Sequence, residues 1–202
     1  MDDGSFFNDR INFANHALSR ALSNFDVTHN FIGSYTYAIP FAKAFPHLPK
    51  RLVNGWEIAG ITRFSTGFPV GLFGAFDNAL TGTSGIDMPN FSGQLQYAGD
   101  PRTNGHLWMT KQGFSVPALG TFGNAPRRFF HGPGLDNWNL ALHKDTMIRE
   151  GMTLQIRAEF FNAFNHAQFS NPNGLVSGTT FGLITSVQAP PRVGQVAAKF
   201  IF

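Results

Sequence analysis

The sequence contains no cysteine, which excludes disulfide bonds, thiolate nucleophiles and cysteine-ligated metal sites. Charged residues make up 13% of the 202 residues, against about 25% in an average soluble domain, and the formal net charge is +3. The basic residues are scattered, which argues against a nucleic-acid partner. No apolar run reaches the length of about 18 residues that a membrane-spanning helix needs. Phenylalanine, in contrast, occurs 23 times and glycine 22 times, a profile typical of a chain rich in strands and loops.

Five segments alternate between apolar and polar residues with the two-residue period of a β-strand. They lie near residues 29–39, 55–65, 136–147, 152–161 and 193–202. The clearest is MTLQIRAEFF at residues 152–161, whose residue types also favour helices. Because its apolar residues recur at every second position and not at helical spacing, we predict a strand there and an all-β, antiparallel fold.

Short and long connections alternate between these segments. Residues 40–54 and 148–151 are short turns, whereas residues 66–135 and 162–192 are long connections rich in glycine, serine, asparagine and proline. Loops above about 15 residues are unusual inside a compact soluble domain. Bacterial outer-membrane barrels have this asymmetry, with short periplasmic turns and long extracellular loops. With the C-terminus on the periplasmic side, both long connections are predicted to be extracellular.

A transmembrane barrel explains the alternation, because one face of each strand then contacts lipid and the other faces the lumen. The residues predicted to contact lipid or to form aromatic girdles are Tyr35, Tyr37, Trp56, Phe64, Trp138, Leu154, Ile156 and Phe160. The charged residues predicted to face the lumen, and to support the wall as an ion-pair ladder, are Glu57, Arg63, Arg157 and Glu159. The alternative is a soluble β-sandwich whose apolar faces share one core.

Four segments resemble a known family of barrels. FDVTHNFIGSYTYAIPF (residues 25–41), NGWEIAGITRFSTGFPV (54–70), LQIRAEFFNAFNHAQFSNPNG (154–174) and FGLITSVQAPPRVGQVAAKFIF (181–202) are similar to late barrel segments of TonB-dependent transporters of the Oar-like group, which is abundant in acidobacteria. The terminal Phe202, with Phe200 two residues before it, resembles the signal by which outer-membrane proteins are handed to the barrel assembly machinery.

The resemblance implies a location in the cell outer membrane and a larger parent protein. Family members carry a signal peptide, an N-terminal β-sandwich, a plug domain and a barrel of about 22 strands. The chain has five clear strands, with one or two more expected in the long connection or the first 20 residues, and the smallest barrels have about eight. We therefore expect about five to seven strands of a transporter barrel, its C-terminal part, inactive alone without the plug and the TonB box.

No pattern indicates an enzyme or a cofactor. No two of the seven histidines lie three or four residues apart, so no helical metal motif exists; they are His16, His29, His47, His106, His131, His143 and His166. Ser84, in Gly-Thr-Ser-Gly, lacks the Gly-x-Ser-x-Gly spacing of a nucleophile elbow. We expect no enzymatic activity, no cofactor and no bound metal.

The resulting hypothesis is energy-coupled uptake of a bulky nutrient. Its expected partners are outer-membrane lipid, the barrel assembly machinery, an extracellular substrate and, through the missing N-terminal part, the TonB complex. Aromatic residues of the long loop either contact that substrate or pack the loop; they are Phe73, Phe76, Phe91, Tyr97, Trp108 and Phe114. The alternatives are a secreted soluble β-sandwich that binds carbohydrate, and a surface adhesin anchored by a barrel.

Overall fold

The computed structural model describes residue 17 and residues 20–82 and 87–202, so His16 and Ser84 lie outside the described residues. The elements in chain order are β1 (Asn30–Ala38), α1 (Phe41–Ala44), α2 (Lys50–Val53), β2 (Trp56–Ser65), β3 (Asn90–Phe91), β4 (Phe114–Ser115), β5 (Leu135–Arg149), β6 (Met152–Phe161) and β7 (Val193–Ile201). Within this part of the chain, no helix is long and apolar enough to cross a membrane.

The five long strands form one antiparallel sheet in the order β1-β2-β5-β6-β7. Each strand begins and ends within two residues of the range predicted from alternation. Each long strand pairs with the next long strand along the chain, so the sheet is an up-and-down meander. Among the described residues the sheet does not close on itself, and β1 and β7 are its edges.

The short connections lie at one end of this sheet and the long ones at the other. Ala38 pairs with Glu57 at the first end, where a connector of residues 39–55 carries α1 and α2 between β1 and β2. The β5–β6 turn lies at the same end, where Gly151 has a φ of 72° that a residue with a Cβ rarely adopts. A register shift between Met147 and Arg149 forms a β-bulge just before that turn.

The connector is held closely against the end of β5. Gly55 has a φ of 75°, and a Cβ at this position would lie 2.2 Å from the carbonyl oxygen of Asp145. Only glycine fits this approach, which allows the Asp145 amide to donate to the Gly55 carbonyl at 2.8 Å. The side chain of Val53, at the end of α2, is 5% exposed and anchors the connector.

The chain folds into two compact units. The sheet unit contains residues 29–65, 135–168 and 189–202; the loop unit contains residues 1–28, 66–134 and 169–188. The loop unit therefore combines most of the two long connections, which the sequence shows only as irregular segments. Its regular structure is the two-stranded pair of β3 and β4 together with isolated bridges, so the extra strands expected in the long connection are only two residues long.

The loop unit has its own hydrophobic core. The buried residues at its centre are Val70, Leu72, Met109, Phe114, Phe130, Val176 and Phe181, with Phe91, Leu95, Trp108 and Phe129 packed around them. Among the described residues, Val53 is the one strongly buried apolar side chain that belongs to the sheet unit. The sheet therefore has no comparable protein core, and its apolar side chains need another apolar environment.

Candidate functional site

The cross-strand register brings the predicted lipid-contacting residues together on one face of the sheet. Successive rows of this apolar face are Tyr37–Ile58–Leu142–Ala158–Val196, Tyr35–Gly60–Leu140–Phe160–Gly194, and Trp56–Lys144–Ile156–Ala198. Phe64, Trp138, Leu154 and Phe200 occupy further rows of the same face. All eight side chains predicted to contact lipid or form girdles thus share one surface.

This apolar face is open to the surroundings. Tyr37 is 59% exposed, Val196 77% and Phe200 57%. A contiguous exposed apolar surface of this kind marks a protein or membrane contact, because water does not solvate it favourably. The other sheet in the described residues has two strands of two residues, which is too small to be the second layer of a sandwich.

Aromatic clusters lie at both ends of the apolar face, and the rows between them contain aliphatic residues together with Tyr35, Tyr37 and Phe160. At the loop end, Phe64 contacts Trp138 edge-to-face at 5.5 Å between ring centroids, and Trp138 contacts Phe164 at 5.6 Å. At the connector end, Trp56 contacts Phe41 edge-to-face at 5.9 Å. The eight-residue step from Trp56 to Phe64 spans ~26 Å along the strand at the usual rise. At the usual strand tilt of about 40° this is roughly 20 Å along the membrane normal, comparable with the apolar band of about 25 Å between the two aromatic girdles of an outer-membrane barrel.

A polar row crosses the opposite face over four strands. Arg157 on β6 forms an ion pair with Glu159 at 2.8 Å, and the Gln195 amide on β7 donates to Glu159 at 2.5 Å. The Arg157 Nε also donates to the Nε2 of His143 on β5 at 3.3 Å. The His143 Nδ1 lies 3.5 Å from the carboxylate of Glu57 on β2. These five side chains, called the polar row below, connect β2, β5, β6 and β7 across the sheet.

The polar row determines the tautomer of its histidine. A guanidinium group can only donate, so the Nε2 of His143 must accept from Arg157 and carry no proton. The ring proton of neutral His143 is then on Nδ1, directed at the Glu57 carboxylate. His143 thereby connects an arginine on one side with a carboxylate on the other, and the charges in the row alternate in sign.

Arg63 lies on the polar face but not in the polar row. Its Nε donates to the Asn30 Oδ1 on β1 at 3.2 Å, near the loop end of the sheet. Glu57 and Arg63 are therefore not partners, and the sequence does not indicate that His143 and Gln195 complete the row. An isolated histidine in an alternating strand carries no signal of its partners, because these depend on the cross-strand register.

A cavity of about 430 Å³ lies on the polar face of the sheet, formed by residues of β1, β2, β5 and β6. Most of the lining residues have polar-face positions, including Thr36, Ile61, Asn139, His143 and Arg157. In a barrel wall the polar residues face the inside and the apolar residues face the outside.

A second polar network, which sequence reasoning missed, lies at the loop end of the sheet unit. His166 Nδ1 is 3.0 Å from the carboxylate of Asp136, which also accepts from the Trp138 Nε1 at 2.8 Å. Asn162, 5% exposed and with a φ of 49°, donates from its side chain to the carbonyls of His166 and Pro190. These bonds satisfy backbone groups where β6 leaves the sheet, so the network has a structural role.

The loop aromatics divide between packing and exposure. Phe114 is buried in the loop-unit core, and Phe91 stacks on it at 5.1 Å between centroids. Tyr97 is 56% exposed and contacts the ring of Trp108 edge-to-face at 5.7 Å. No group of three or more histidine, aspartate or glutamate side chains that could hold a metal ion occurs in the described parts of the chain.

The residues predicted as the assembly signal lie at the end of the edge strand. Phe200 pairs with Leu154 on the apolar face, and Phe202 follows β7 with 95% of its side chain exposed. Since β7 pairs only with β6, its outer edge is also unpaired within the sheet. The terminal aromatic residues and an open strand edge are therefore available at the same place.

The exposed apolar face, the opposite polar face and the two aromatic clusters are those of a segment of a transmembrane β-barrel wall. A family model described as an outer membrane beta barrel domain matches residues 1–195, and the chain belongs to this family. The protein is accordingly located in the cell outer membrane. The soluble sandwich considered as an alternative is therefore wrong. No curated protein and no solved structure matches the chain.

Proposed function

We propose that the chain forms part of the barrel wall of a TonB-dependent transporter of the Oar-like group, which takes up a bulky nutrient. Four sequence segments that resemble this group support the proposal. The structural observation that carries it is the arrangement of the connections. Both long connections leave the sheet at one end, and together they supply most of a compact loop unit with its own core.

The open edges of the sheet support a larger barrel. Each edge strand presents backbone N–H and C=O groups that lipid cannot pair, at a cost of roughly several kcal/mol for each group. Both β1 and β7 are edges in the part of the chain that the structure describes. Further strands, in a barrel expected to have about 22, would satisfy both edges. Transport by such a protein also needs a plug and a TonB-contacting segment, so this part of the wall is not expected to transport by itself.

The two units suggest a division of roles in uptake. The polar row lies on the face that would line the lumen, which holds water or a plug. In the loop unit, Tyr97 is 56% exposed and would be an aromatic contact for an extracellular substrate. Phe200 and Phe202 would contact the barrel assembly machinery. None of these roles involves bond chemistry, a cofactor or a nucleic acid.

The absence of cysteine allows a direct test of orientation. Ser92→Cys places a single thiol on the exposed surface of the loop unit, and Ala44→Cys places one on the exposed connector. A membrane-impermeant maleimide should label the Ser92→Cys protein in intact cells. The Ala44→Cys protein should react only after the outer membrane is permeabilised. The reverse result would contradict the proposed orientation.

Uptake itself is tested with the gene product in its own cells. Deletion of the gene should reduce growth on one scarce, bulky nutrient, and a proton uncoupler should abolish the corresponding uptake. Mass spectrometry of the outer-membrane fraction should detect peptides encoded in frame upstream of Met1, including a plug. Normal uptake with lost attachment to surfaces would instead identify the adhesin barrel.

A further inference from the structure

The connector between β1 and β2 concentrates positive charge at one end of the sheet. Residues 39–55 contain Lys43, Lys50 and Arg51 and no aspartate or glutamate. The three cations are exposed, and their number equals the net charge of the whole chain, +3. No carboxylate in the described part of the chain lies within ion-pair distance of them. This end is thus locally basic in a chain that is otherwise close to neutral.

Large apolar side chains are exposed on the same connector. Phe45 is 52% exposed, Leu48 49% and Leu52 61%. A soluble surface rarely exposes three such residues within eight positions next to lysine and arginine. Alternating basic and apolar residues are typical of segments that lie in the interface of a membrane, with the apolar side chains toward the acyl region.

The connector also lies at the level of the lipid headgroups. It begins directly after Ala38 and ends at Trp56, whose ring belongs to the aromatic cluster at this end of the apolar face. Interfacial tryptophan marks the boundary between acyl chains and headgroups. Residues that extend past Trp56, away from the apolar band, therefore meet headgroups.

Hydrogen bonds hold the connector in one position. The Trp56 Nε1 donates to the Leu52 carbonyl at 2.7 Å, and the Lys144 Nζ donates to the Arg51 carbonyl at 3.0 Å. The Arg51 guanidinium donates to the Ile148 carbonyl at 3.2 Å. Since Arg51 uses one of its five N–H groups there, the others remain for an anion. The cations are thus presented on a fixed support, which lowers the entropic cost of binding.

A cavity of about 680 Å³ lies between α2 and the β5–β6 turn. Its lining includes Lys50, Arg51 and Arg149 as cations, and Asp145 and Glu150 as anions. Arginine and lysine side chains bind phosphate oxygens by charge-assisted hydrogen bonds. The cavity is large enough for a headgroup, and its two carboxylates reduce the attraction for an anion without reversing the local positive charge.

We propose that the connector and Arg149 form a binding site for the phosphate group of an anionic glycerophospholipid. Lys50, Arg51 and Arg149 contact the headgroup, and Phe45, Leu48 and Leu52 contact the acyl chains. The site depends on the membrane location of the barrel and not on what the barrel transports. Loss of uptake and loss of lipid selection are therefore separate results.

The test is lipid titration of the protein, extracted whole from the outer membrane into a neutral detergent and followed by native mass spectrometry. Phosphatidylglycerol should bind in a defined stoichiometry, and phosphatidylcholine should bind at least tenfold more weakly. Equal binding of the two lipids would overturn the proposal. Displacement of the lipid by millimolar inorganic phosphate alone would also overturn it, since the site would then recognise the free anion. Preference for the phosphates of lipid A over phosphatidylglycerol would reject the glycerophospholipid.

Two triple variants distinguish binding at this site from a general effect of the positive charge of the protein. One basic residue near a membrane contributes a factor of about five to anionic-lipid affinity, so Lys50→Gln, Arg51→Gln and Arg149→Gln combined should weaken binding about a hundredfold. The matched control changes three exposed cations of the loop unit, Arg20→Gln, Arg102→Gln and Lys111→Gln, and should leave affinity unchanged. An equal loss in both triple variants would overturn the site.

A variant that is expected to bind more tightly provides a test that a folding defect cannot mimic, because a misfolded protein would lose affinity. Glu150 is exposed in the β5–β6 turn and lines the cavity as an anion. Glu150→Gln removes its repulsion and should strengthen phosphatidylglycerol binding about fivefold, with phosphatidylcholine binding unchanged. Unchanged or weaker phosphatidylglycerol binding would show that the headgroup is not held in this cavity.

Discussion

The aromatic ring of Tyr35 on β1 covers Gly60 on β2. The two residues are paired in the register, and a Cβ on Gly60 would lie 2.6 Å from the Tyr35 Cζ. The Tyr35 hydroxyl is 3.4 Å from the Thr62 Oγ1, and Thr62 is only 4% exposed. The ring thus replaces the missing side chain of the glycine and shields a hydroxyl group on the apolar face, the arrangement known as aromatic rescue.

The packing of Tyr35 on Gly60 predicts that the effect of Gly60→Ala on the free energy of unfolding depends on whether Tyr35 is present. Gly60→Ala should lower the free energy of unfolding by about 1 kcal/mol, because Tyr35 must leave its position. In a Tyr35→Ala background the same substitution should be neutral or stabilising, since the ring is gone and alanine is less flexible than glycine. The measurement is urea unfolding in lipid vesicles. Gly71→Ala, where a Cβ meets nothing within 4 Å, is the control. Equal effects in both backgrounds would contradict the packing of Tyr35 on Gly60.

Adjacent positions of β6 should respond oppositely to charge. Ala158 lies on the apolar face between Leu142 and Val196, so Ala158→Arg should cost about 2–4 kcal/mol in the membrane and reduce assembled barrel strongly. Arg157→Ala removes an ion pair on the polar face but leaves Glu159 bonded to Gln195, so its effect should be about 1 kcal/mol. Folded protein is quantified by heat-modifiable migration. Equal losses would reject the assignment of the two faces.

The positions of the strands could be predicted because each strand contains its own signal. In MTLQIRAEFF the apolar residues recur at every second position, so the two faces of β6 follow from ten consecutive residues. That the eight residues predicted to contact lipid or form girdles share one face could be predicted for the same reason. Even or odd position within each strand decides the face of a side chain, and antiparallel pairing places paired residues on the same face. A location in the membrane follows from the exposure of that face.

The partners within each face could not be predicted, because they depend on register across long connections. His143 and Glu57 are paired although 85 residues separate them, and the pairing follows from the alignment of β2 with β5. The core of the loop unit was missed for a related reason. Val70, Met109 and Val176 come from separate irregular segments that have no period, so their burial is visible only in three dimensions.

His143 should matter as a connecting group and not as a charge. His143→Leu removes the acceptor of Arg157 and the group facing Glu57, and should cost about 1–3 kcal/mol because both charged partners lose a hydrogen-bonding neighbour. His143→Gln, whose amide can both accept and donate, should recover at least half of the loss. The measurement is urea unfolding in vesicles, with His47→Leu on the exposed connector as the control. Equal effects of the leucine and glutamine variants would contradict the connecting role.

Lys144 should hold the connector in place although it lies on the apolar face. Its ammonium group donates to the carbonyls of Arg51 and Asp145 and to the Thr146 hydroxyl, so all three of its protons are used. Lys144→Met keeps an apolar chain for lipid but frees the Arg51 carbonyl. If Lys144→Met lowers the local stability of the connector by about 1.4 kcal/mol, the connector opens about tenfold more often. Trypsin should then cut after Arg51 about tenfold faster.

The rate of this cleavage is followed by mass spectrometry of protein in vesicles. The control is Lys199→Met, on the polar face of β7, which should leave the cleavage rate unchanged. An unchanged cleavage rate in the Lys144→Met protein would show that other contacts fix the connector.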